Sequence, residues 1–103
     1  MTDTLNFPPT LEHLHARRTE LLRLAAQHGA SNVRVFGSVA RGEASAESDI
    51  DFLVDFQPGT SLWDVIGLWQ DLSELLGCEV SVVTESTLEG RFKHNVLKDA
   101  IPL

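Results

Sequence analysis

Residues 33–56 of this chain read VRVFGSVARGEASAESDIDFLVDF, and the expected organisation of the rest follows from them. Val33, Val35 and Phe36 form a short β-type run that stops at Gly37. Ser38 and the three residues after it can then begin a helical turn. Because the first N–H groups of a helix have no partner within it, these groups and the Ser38 hydroxyl would face an anion such as a phosphate.

A second strand opens after Ser48 and carries the acidic residues Asp49 and Asp51. Because side chains alternate along an extended chain, both carboxylates point to one face, together with Asp55. The opposite face is apolar throughout, with Ile50, Phe52, Val54 and Phe56. Neighbouring carboxylates repel each other unless a cation lies between them or one of them stays protonated. Hard oxygen ligands select Mg²⁺, which takes one or two protein carboxylates together with substrate phosphates.

Each half of the segment also has a plainer interpretation. A Gly-Ser turn alone is more often only a turn, and an Asp-x-Asp pair alone is most often the solvated edge of a strand. The order strand, Gly-Ser, Arg-Gly, Ser-Asp-x-Asp, strand is far less expected by accident. A phosphate cradle beside a Mg²⁺ site suits phosphoryl or nucleotidyl transfer, in which metal ions clamp the attacking and leaving oxygens.

The segment GSVARGEASAESDIDFLV resembles the signature of the nucleotidyltransferase superfamily in its minimal form. The whole chain is similar to the small MntA-type proteins that are paired with HEPN-domain toxins. The resemblance implies the polymerase-beta-like palm fold, an α/β fold with a small mixed sheet flanked by helices. It also implies Mg²⁺-dependent transfer of AMP from ATP to a hydroxyl, usually a tyrosine on the HEPN toxin, which silences a ribonuclease.

The resemblance assigns roles to residues at matching positions. Four of them would hold the substrate and the metal: Gly37 and Ser38 for the nucleotide phosphates, and Asp49 and Asp51 for Mg²⁺, with Ser38, Asp49 and Asp51 as the catalytic residues. Arg41 would either hold a phosphate or pair with Glu43 or Glu47, and the sequence leaves both interpretations open.

The expected third strand, 79–84, departs from the family pattern. Members of the family usually carry a third acidic residue there, which ligates the metal and serves as the base for the attacking hydroxyl. That position holds Ser81 in this chain. Serine is a poor base near pH 7, and losing a positioned base costs ~10²–10⁴ in rate. Glu79, one rung away on the same face, and Asp55, on the neighbouring strand, are the possible compensating carboxylates.

Composition limits the class of protein. The 103 residues, 43% of them hydrophobic, predict one globular domain over 1–103, with 1–9 as a loose lead-in. No apolar run approaches the ~20 residues of a membrane span, and the N-terminus shows no secretory signal. A single Cys78 fits a reducing cytosol, so a cytoplasmic protein is expected.

The formal net charge of −7 bears on partners. Affinity for phosphate backbones depends on Lys and Arg, so no direct nucleic-acid ligand is expected. The charge favours a basic protein partner, although simple solubility explains it equally well. Homo-oligomerisation stays open.

Helical periodicity predicts longer helices over 11–28, 61–76 and 87–99, with Gly29, Gly77 and Pro102 as stop signals. Thr60 or Ser61 can cap the second, and Asp64 stands three residues after Ser61 in a capping-box-like position, although Asp is a weaker partner than Glu. The apolar stripe of the last comprises Leu88, Phe92, Val96 and Leu97. The order α-β-(short α)-β-α-β-α predicts a two- or three-layer α/β sandwich.

A few residues in these helices have two interpretations. Trp63 lies off the apolar stripe of its helix and is either an interface residue or a shielded rim residue. Gly67 weakens a helix interior, which indicates close packing there. Arg17 and Arg18 fit a solvated face, although either could contact a partner.

Three functions remain open on the sequence alone. The first is a Mg²⁺-dependent adenylyltransferase that acts as an antitoxin. The second is a catalytically degenerate antitoxin that neutralises its toxin by binding alone, which Ser81 favours. Transfer to a small molecule such as an aminoglycoside ranks last, because so short a chain leaves little to build an acceptor pocket.

Overall fold

A computed structural model describes residues 9–45 and 47–103 of the chain. Its elements, in chain order, are α1 Leu11–Ala16, α2 Arg18–Gln27, β1 Ala30–Phe36, α3 Gly37–Arg41, β2 Ile50–Phe56, α4 Leu62–Leu76, β3 Val80–Val83, a 3₁₀ turn Glu85–Thr87, α5 Gly90–Asp99 and β4 Ile101–Pro102. The order matches the expected one, with a short fourth strand added. Of the lead-in predicted over residues 1–9, residues 1–8 lie outside the described residues. Pro9 is described and precedes α1.

The strands form one mixed sheet in the order β3-β2-β1-β4. β1 runs antiparallel to β2 and to β4, whereas β2 and β3 are parallel. β2 is therefore an interior strand, and Phe52, Leu53 and Val54 in its middle are fully buried. This confirms the small mixed sheet flanked by helices.

The main apolar core lies between one face of the sheet and the helices α1, α2 and α4. Its strand residues include Val35, Ile50, Phe52, Val54 and Val80, and its helix residues include Leu14, Leu21, Leu68 and Leu72. Fully burying such a side chain contributes about 1.5–3 kcal/mol. The alternation in β2 therefore fixes which face of that strand turns inward.

A second, smaller cluster lies on the other face of the sheet and corrects the expectation of an acidic face there. Leu53, between Asp51 and Asp55 on that face, is fully buried against Phe36, Leu88 and Val96. α5 supplies Val96 and covers this side. The sandwich therefore has three layers, and the acidic residues are separated by an apolar contact.

The first helix is two helices, which corrects the single span predicted over 11–28. The chain breaks at Arg17, whose φ of −107° and ψ of 19° lie outside the helical range. Arg17 Nη1 donates to the Leu75 carbonyl at 2.9 Å, and Arg18 Nε donates to the Leu103 carbonyl at 2.6 Å. These two guanidinium groups therefore hold the helix pair to the body of the fold, although Arg18 itself stays exposed.

The helix α4 agrees with its sequence signals. Ser61 and Asp64 form the expected capping box, and Gly77 ends the helix with a φ of 68°. A Cβ on Gly67 would lie 2.7 Å from Cε1 of His28, so the predicted close packing comes from that imidazole. Among the described residues, no helix combines the length and the apolarity that crossing a membrane requires.

The last helix starts later than predicted. Residues 85–87 form the 3₁₀ turn, Leu88 is extended, and α5 begins only at Gly90. The predicted apolar stripe is also partly wrong, because Phe92 is 59% exposed and Leu97 is 38% exposed. Leu88 and Val96 alone of the four are buried.

Candidate active site

The glycine-serine turn and the acidic strand meet at Gly37. β1 ends at Phe36, which pairs with Asp51 across the antiparallel register. Gly37 has a φ of +75°, a conformation that side chains with a Cβ rarely adopt. A Cβ there would also collide with the carboxylate of Asp51. Only glycine therefore allows this carboxylate to lie directly against the turn that starts α3.

Asp51 is half-buried in an environment that disfavours its charge. Burial raises the pKa of its carboxyl above the ordinary value, and the charge of Asp49 raises that pKa further. A hydrogen bond from the Ser81 hydroxyl and the charge of Arg41 act in the opposite direction. A divalent cation bound between the two carboxylates would relieve both unfavourable effects.

Ser81 lies beside Asp51, because the parallel register of β2 and β3 pairs these two residues. The neutral hydroxyl thus stands next to the expected metal ligand. Within the described ranges, no group of three or more His, Cys, Asp or Glu side chains could hold a metal ion. The acidic part of the site is therefore a pair of aspartates, Asp49 and Asp51.

Glu79 stays near this pair without joining it. Its carbonyl accepts a hydrogen bond from the Ile50 N–H, which places it at the entrance of β3. Burial raises the pKa of the neighbouring Cys78 thiol, and the charges of Asp49 and Glu79 raise it further. Both carboxylates therefore lie close to the same thiol.

Asp55 is engaged elsewhere. Its carboxylate accepts hydrogen bonds from Asn32 Nδ2 at 2.9 Å and from Arg34 Nη2 at 3.1 Å. Leu53 also separates it from Asp51 by a buried apolar contact. Arg34, which holds Asp55, also lies 3.5 Å from Glu85, and the compensation of Ser81 by Asp55 stays a prediction.

Arg41 forms ion pairs with two carboxylates on the surface. Its Nε lies 2.9 Å from Glu43 and its Nη1 lies 2.7 Å from Asp99 of α5. Hydrogen bonds to Glu43 and to Asp99 raise the pKa of this guanidinium. Of the two interpretations that the sequence left open, the pairing of Arg41 with Glu43 is observed. The pairing with Asp99 was not anticipated. Among the described residues, Arg41 forms no ion pair with Glu47.

A cleft of about 320 Å³ lies between the Gly37 turn and α5. Gly37, Ser38, Arg41 and Asp51 line one side of it, and α5 forms the other wall with Phe92, Asn95 and Asp99. The sequence reasoning missed the α5 wall, because it treated Phe92 as a core residue. The signal that could have found it is the spacing of 92, 95, 96 and 99, which places all four on one side of a helix.

Trp63 lies outside this cleft, at the start of α4, and is 79% exposed. That exposure argues against a shielded rim position, and the interface interpretation stays a prediction. Leu62 beside it is 71% exposed, so the two form an apolar surface patch.

Comparison with known proteins gives a consistent result. The family described as nucleotidyltransferase domain matches residues 18–103 of the chain. A protein adenylyltransferase named MntA from Thermococcus cleftensis is 38% identical over 93 residues, which are 89% of this chain and 94% of the relative. A provisionally named protein adenylyltransferase of Methanocaldococcus jannaschii is 37% identical over 84 residues, 82% of this chain and 90% of the relative.

Solved structures agree with the sequence relatives. One that is described, provisionally, as a minimal nucleotidyltransferase superposes with a TM-score of 0.81 at 52% identity, over 92% of this chain and 97% of the other. A toxin–antitoxin complex with AMP-PNP gives a TM-score of 0.69 at 20% identity, over 82% of this chain and 69% of the other. At that identity the second likeness shows the fold alone.

Proposed function

Since the chain belongs to the nucleotidyltransferase domain family, we propose that it is a Mg²⁺-dependent protein adenylyltransferase that moves AMP from ATP to a hydroxyl of a HEPN-domain toxin and so acts as an antitoxin. Relatives that match most of the chain are named protein adenylyltransferases, and one protein with the same fold is a toxin–antitoxin complex with AMP-PNP. The observation that carries the proposal is the contact of the Asp51 carboxylate with the Gly37 turn.

The residues present fit a magnesium site of two carboxylates. Asp49 and Asp51 supply hard oxygen ligands, and the burial that raises the pKa of Asp51 makes a cation favourable there. Mg²⁺, when bound, would neutralise charge on the phosphates and polarise the phosphorus that is attacked. Gly37 and Ser38 would hold the phosphates, because they line the cleft at the start of α3 beside the Asp51 carboxylate.

The transfer itself is a substitution at the α-phosphorus of ATP. The oxygen of the acceptor hydroxyl forms the new bond to phosphorus, the bond between the α-phosphorus and the bridging oxygen breaks, and pyrophosphate leaves. The proton of the hydroxyl must go to a base. Ser81 stands where the family usually has a carboxylate, and its hydroxyl cannot take that proton near pH 7, so the proton passes to solvent and the reaction is slowed.

Transfer of labelled AMP tests this function. The chain and its cognate HEPN toxin are incubated with Mg²⁺ and ATP labelled at the α-phosphate, and label on the toxin is measured over time. Label should appear on the toxin, and Asp51→Asn should abolish it, while Glu74→Gln, which removes an exposed carboxylate on α4, should not. Absence of label with the native chain, beside an active relative as control, contradicts the proposal.

A second candidate is an antitoxin that neutralises its toxin by binding alone. The position of Ser81 beside Asp51 favours it, because a site without the third carboxylate can keep its fold and lose its chemistry. This candidate predicts that Asp49→Ala combined with Asp51→Ala still protects cells that express the toxin. If that double variant folds and binds the toxin but gives no protection, sequestration is wrong.

The proposals for the partner's surface and for the cellular compartment are argued from charge, surface exposure and cysteine content. The net charge of −7 favours a toxin with a basic docking surface, and the exposed pair Leu62 and Trp63 supplies apolar area for it. We place the protein in the cytoplasm because its ATP substrate and its lone cysteine suit that compartment.

A further inference from the structure

The wall that α5 contributes to the cleft has a fixed orientation. Val96 is buried against Leu53 and Phe36, and Asp99 bonds to Arg41 at 2.7 Å. Asn95 lies one turn before Asp99 and Phe92 lies two turns before it, on the same side of the helix. Because a helix rises 1.5 Å per residue, Phe92 is about 10 Å along the axis from the Arg41 contact. The cleft thus runs from a charged end to an aromatic end.

Phe92 is exposed without belonging to either apolar core. Its ring is 59% exposed, and it is absent from both buried clusters and from the residues that pack against them. It lines the same cleft as Gly37, Ser38 and Asp51. A flat aromatic ring beside a phosphate and metal site is the kind of surface on which a nucleobase stacks.

Asn95 adds a hydrogen-bonding pair next to that ring. Its side chain lines the cleft, is exposed, and makes no recorded hydrogen bond within the described residues. A carboxamide offers one acceptor and one donor side by side, which match N6 and N7 of adenine. Guanine presents two acceptors, O6 and N7, at the same edge, so one of its two atoms would face the wrong partner.

We propose that Phe92 and Asn95 form the base-binding end of the cleft, with Phe92 stacking on the nucleobase and Asn95 selecting adenine over guanine. This assignment rests on the proposed function, because it takes the phosphates to lie at Gly37 and Ser38. The volume of about 320 Å³ lies within the range of small-molecule sites, ~300–1,000 Å³.

Calorimetric titration of the full chain with three ligands in the presence of Mg²⁺ tests the assignment: ATP, GTP and inorganic tripolyphosphate. Phe92→Leu keeps the apolar volume and removes the ring, so ATP affinity should fall about tenfold while tripolyphosphate affinity stays within about twofold. Phe92→Trp should retain ATP affinity. Asn95→Leu should reduce the preference for ATP over GTP by about 5- to 150-fold.

Two surface changes on the same helix serve as controls. Leu97→Ala and His94→Ala alter exposed residues that do not line the cleft, and both should leave all three affinities unchanged. Thermal unfolding checks that each variant keeps its fold, which is expected because the altered side chains are exposed.

The results distinguish a failure of the base-binding assignment from a failure of the proposed function. If the native chain binds ATP and both α5 variants bind it equally well, the base assignment is wrong and the proposed function stands. If Phe92→Leu weakens the binding of ATP and of tripolyphosphate equally, the base assignment is also wrong, because the ring would then act on the phosphates. A loss of toxin binding with unchanged ATP affinity overturns it too, because Phe92 would then be a docking residue. If the native chain binds no ATP, both proposals fail.

Discussion

Ser81→Asp is the change that tests the missing carboxylate most directly. Ser81 pairs with Asp51 in the parallel register, so an aspartate there would place a third carboxylate beside the first two. It would supply the base that the acceptor hydroxyl lacks. A positioned base is worth ~10²–10⁴ in rate, so AMP transfer to the toxin should accelerate by that range. The assay is the initial rate of label transfer at saturating Mg²⁺ and ATP.

The same change has a cost to the metal-free protein that can be worked out from the contacts. It removes the hydrogen bond from the Ser81 hydroxyl to the Asp51 carboxylate, and bonds to charged groups contribute about 1.5–3 kcal/mol. Because both residues are only half-buried, the lower figure applies. At about 4–8 °C per kcal/mol for a chain of this size, Tm should fall by about 6–12 °C. Mg²⁺ at 100 times its Kd should restore about 2.7 kcal/mol.

A matched variant separates the site from general charge effects. Ser86→Asp adds the same charge in the exposed 3₁₀ turn, away from the cleft, and should change neither the rate nor the response to Mg²⁺. The reasoning is refuted if Ser81→Asp folds, gains stability with Mg²⁺, and still transfers AMP no faster than the native chain. The third carboxylate would then not be what limits the reaction.

Other positions give expectations of different kinds. Gly37→Ala forces a Cβ against the Asp51 carboxylate at a φ of +75°, so we expect a loss of about 1–3 kcal/mol in thermal unfolding and of ATP binding in calorimetry, and unchanged affinity would contradict the contact. Because burial raises the pKa of Asp51 in the folded state, the stability of the metal-free protein should fall as pH rises from the unfolded pKa through the folded pKa. Asp51→Asn should therefore raise Tm at pH 7 but not at pH 3, and an equal gain at both would exclude this cause. Gly67→Ala should stabilise the chain by about 1 kcal/mol only in a His28→Ala background, as measured by urea unfolding, because the imidazole blocks the added methyl.

The sequence was most informative where the pattern was local. The alternation in β2, the capping box at Ser61 and the stop at Gly77 each depend on neighbours within a few residues, and the structure has all of them. The mixed sheet followed from the order of these elements and from the family resemblance. That residues 1–103 form one domain stays a prediction.

The errors share a physical cause, which is contact between residues far apart in the chain. The break at Arg17 goes with a hydrogen bond to the carbonyl of Leu75, and Arg41 finds Asp99 across 58 residues. The face of β2 with Asp49, Asp51 and Asp55 was expected to be acidic, because the period of a strand does not show that a later helix, α5, covers Leu53 on that face. Half of the cleft wall was missed for the same reason.

The candidate site was predictable on the β1–β2 side only. The order of the motif predicted that the Gly37 turn and Asp51 lie together, whereas the register that brings them and Ser81 together is seen only in the sheet. The engagement of Asp55 by Arg34 was not predicted, because the bond depends on how two neighbouring strands are paired. The roles of all these residues in binding and catalysis stay predictions.

The small cluster beneath α5 has a consequence for the motions of this fold. Among the described residues, Leu88, Val96 and Ala100 anchor that layer from outside the sheet, together with the ion pair of Arg41 and Asp99, so α5 is held by a smaller apolar cluster than the helices on the other face. Backbone amides of residues 90–99 should exchange with deuterium before those of β2, through brief detachments of the helix. A nucleotide that touches both walls would slow this exchange, and the helix would then report occupancy of the cleft without any change in average structure.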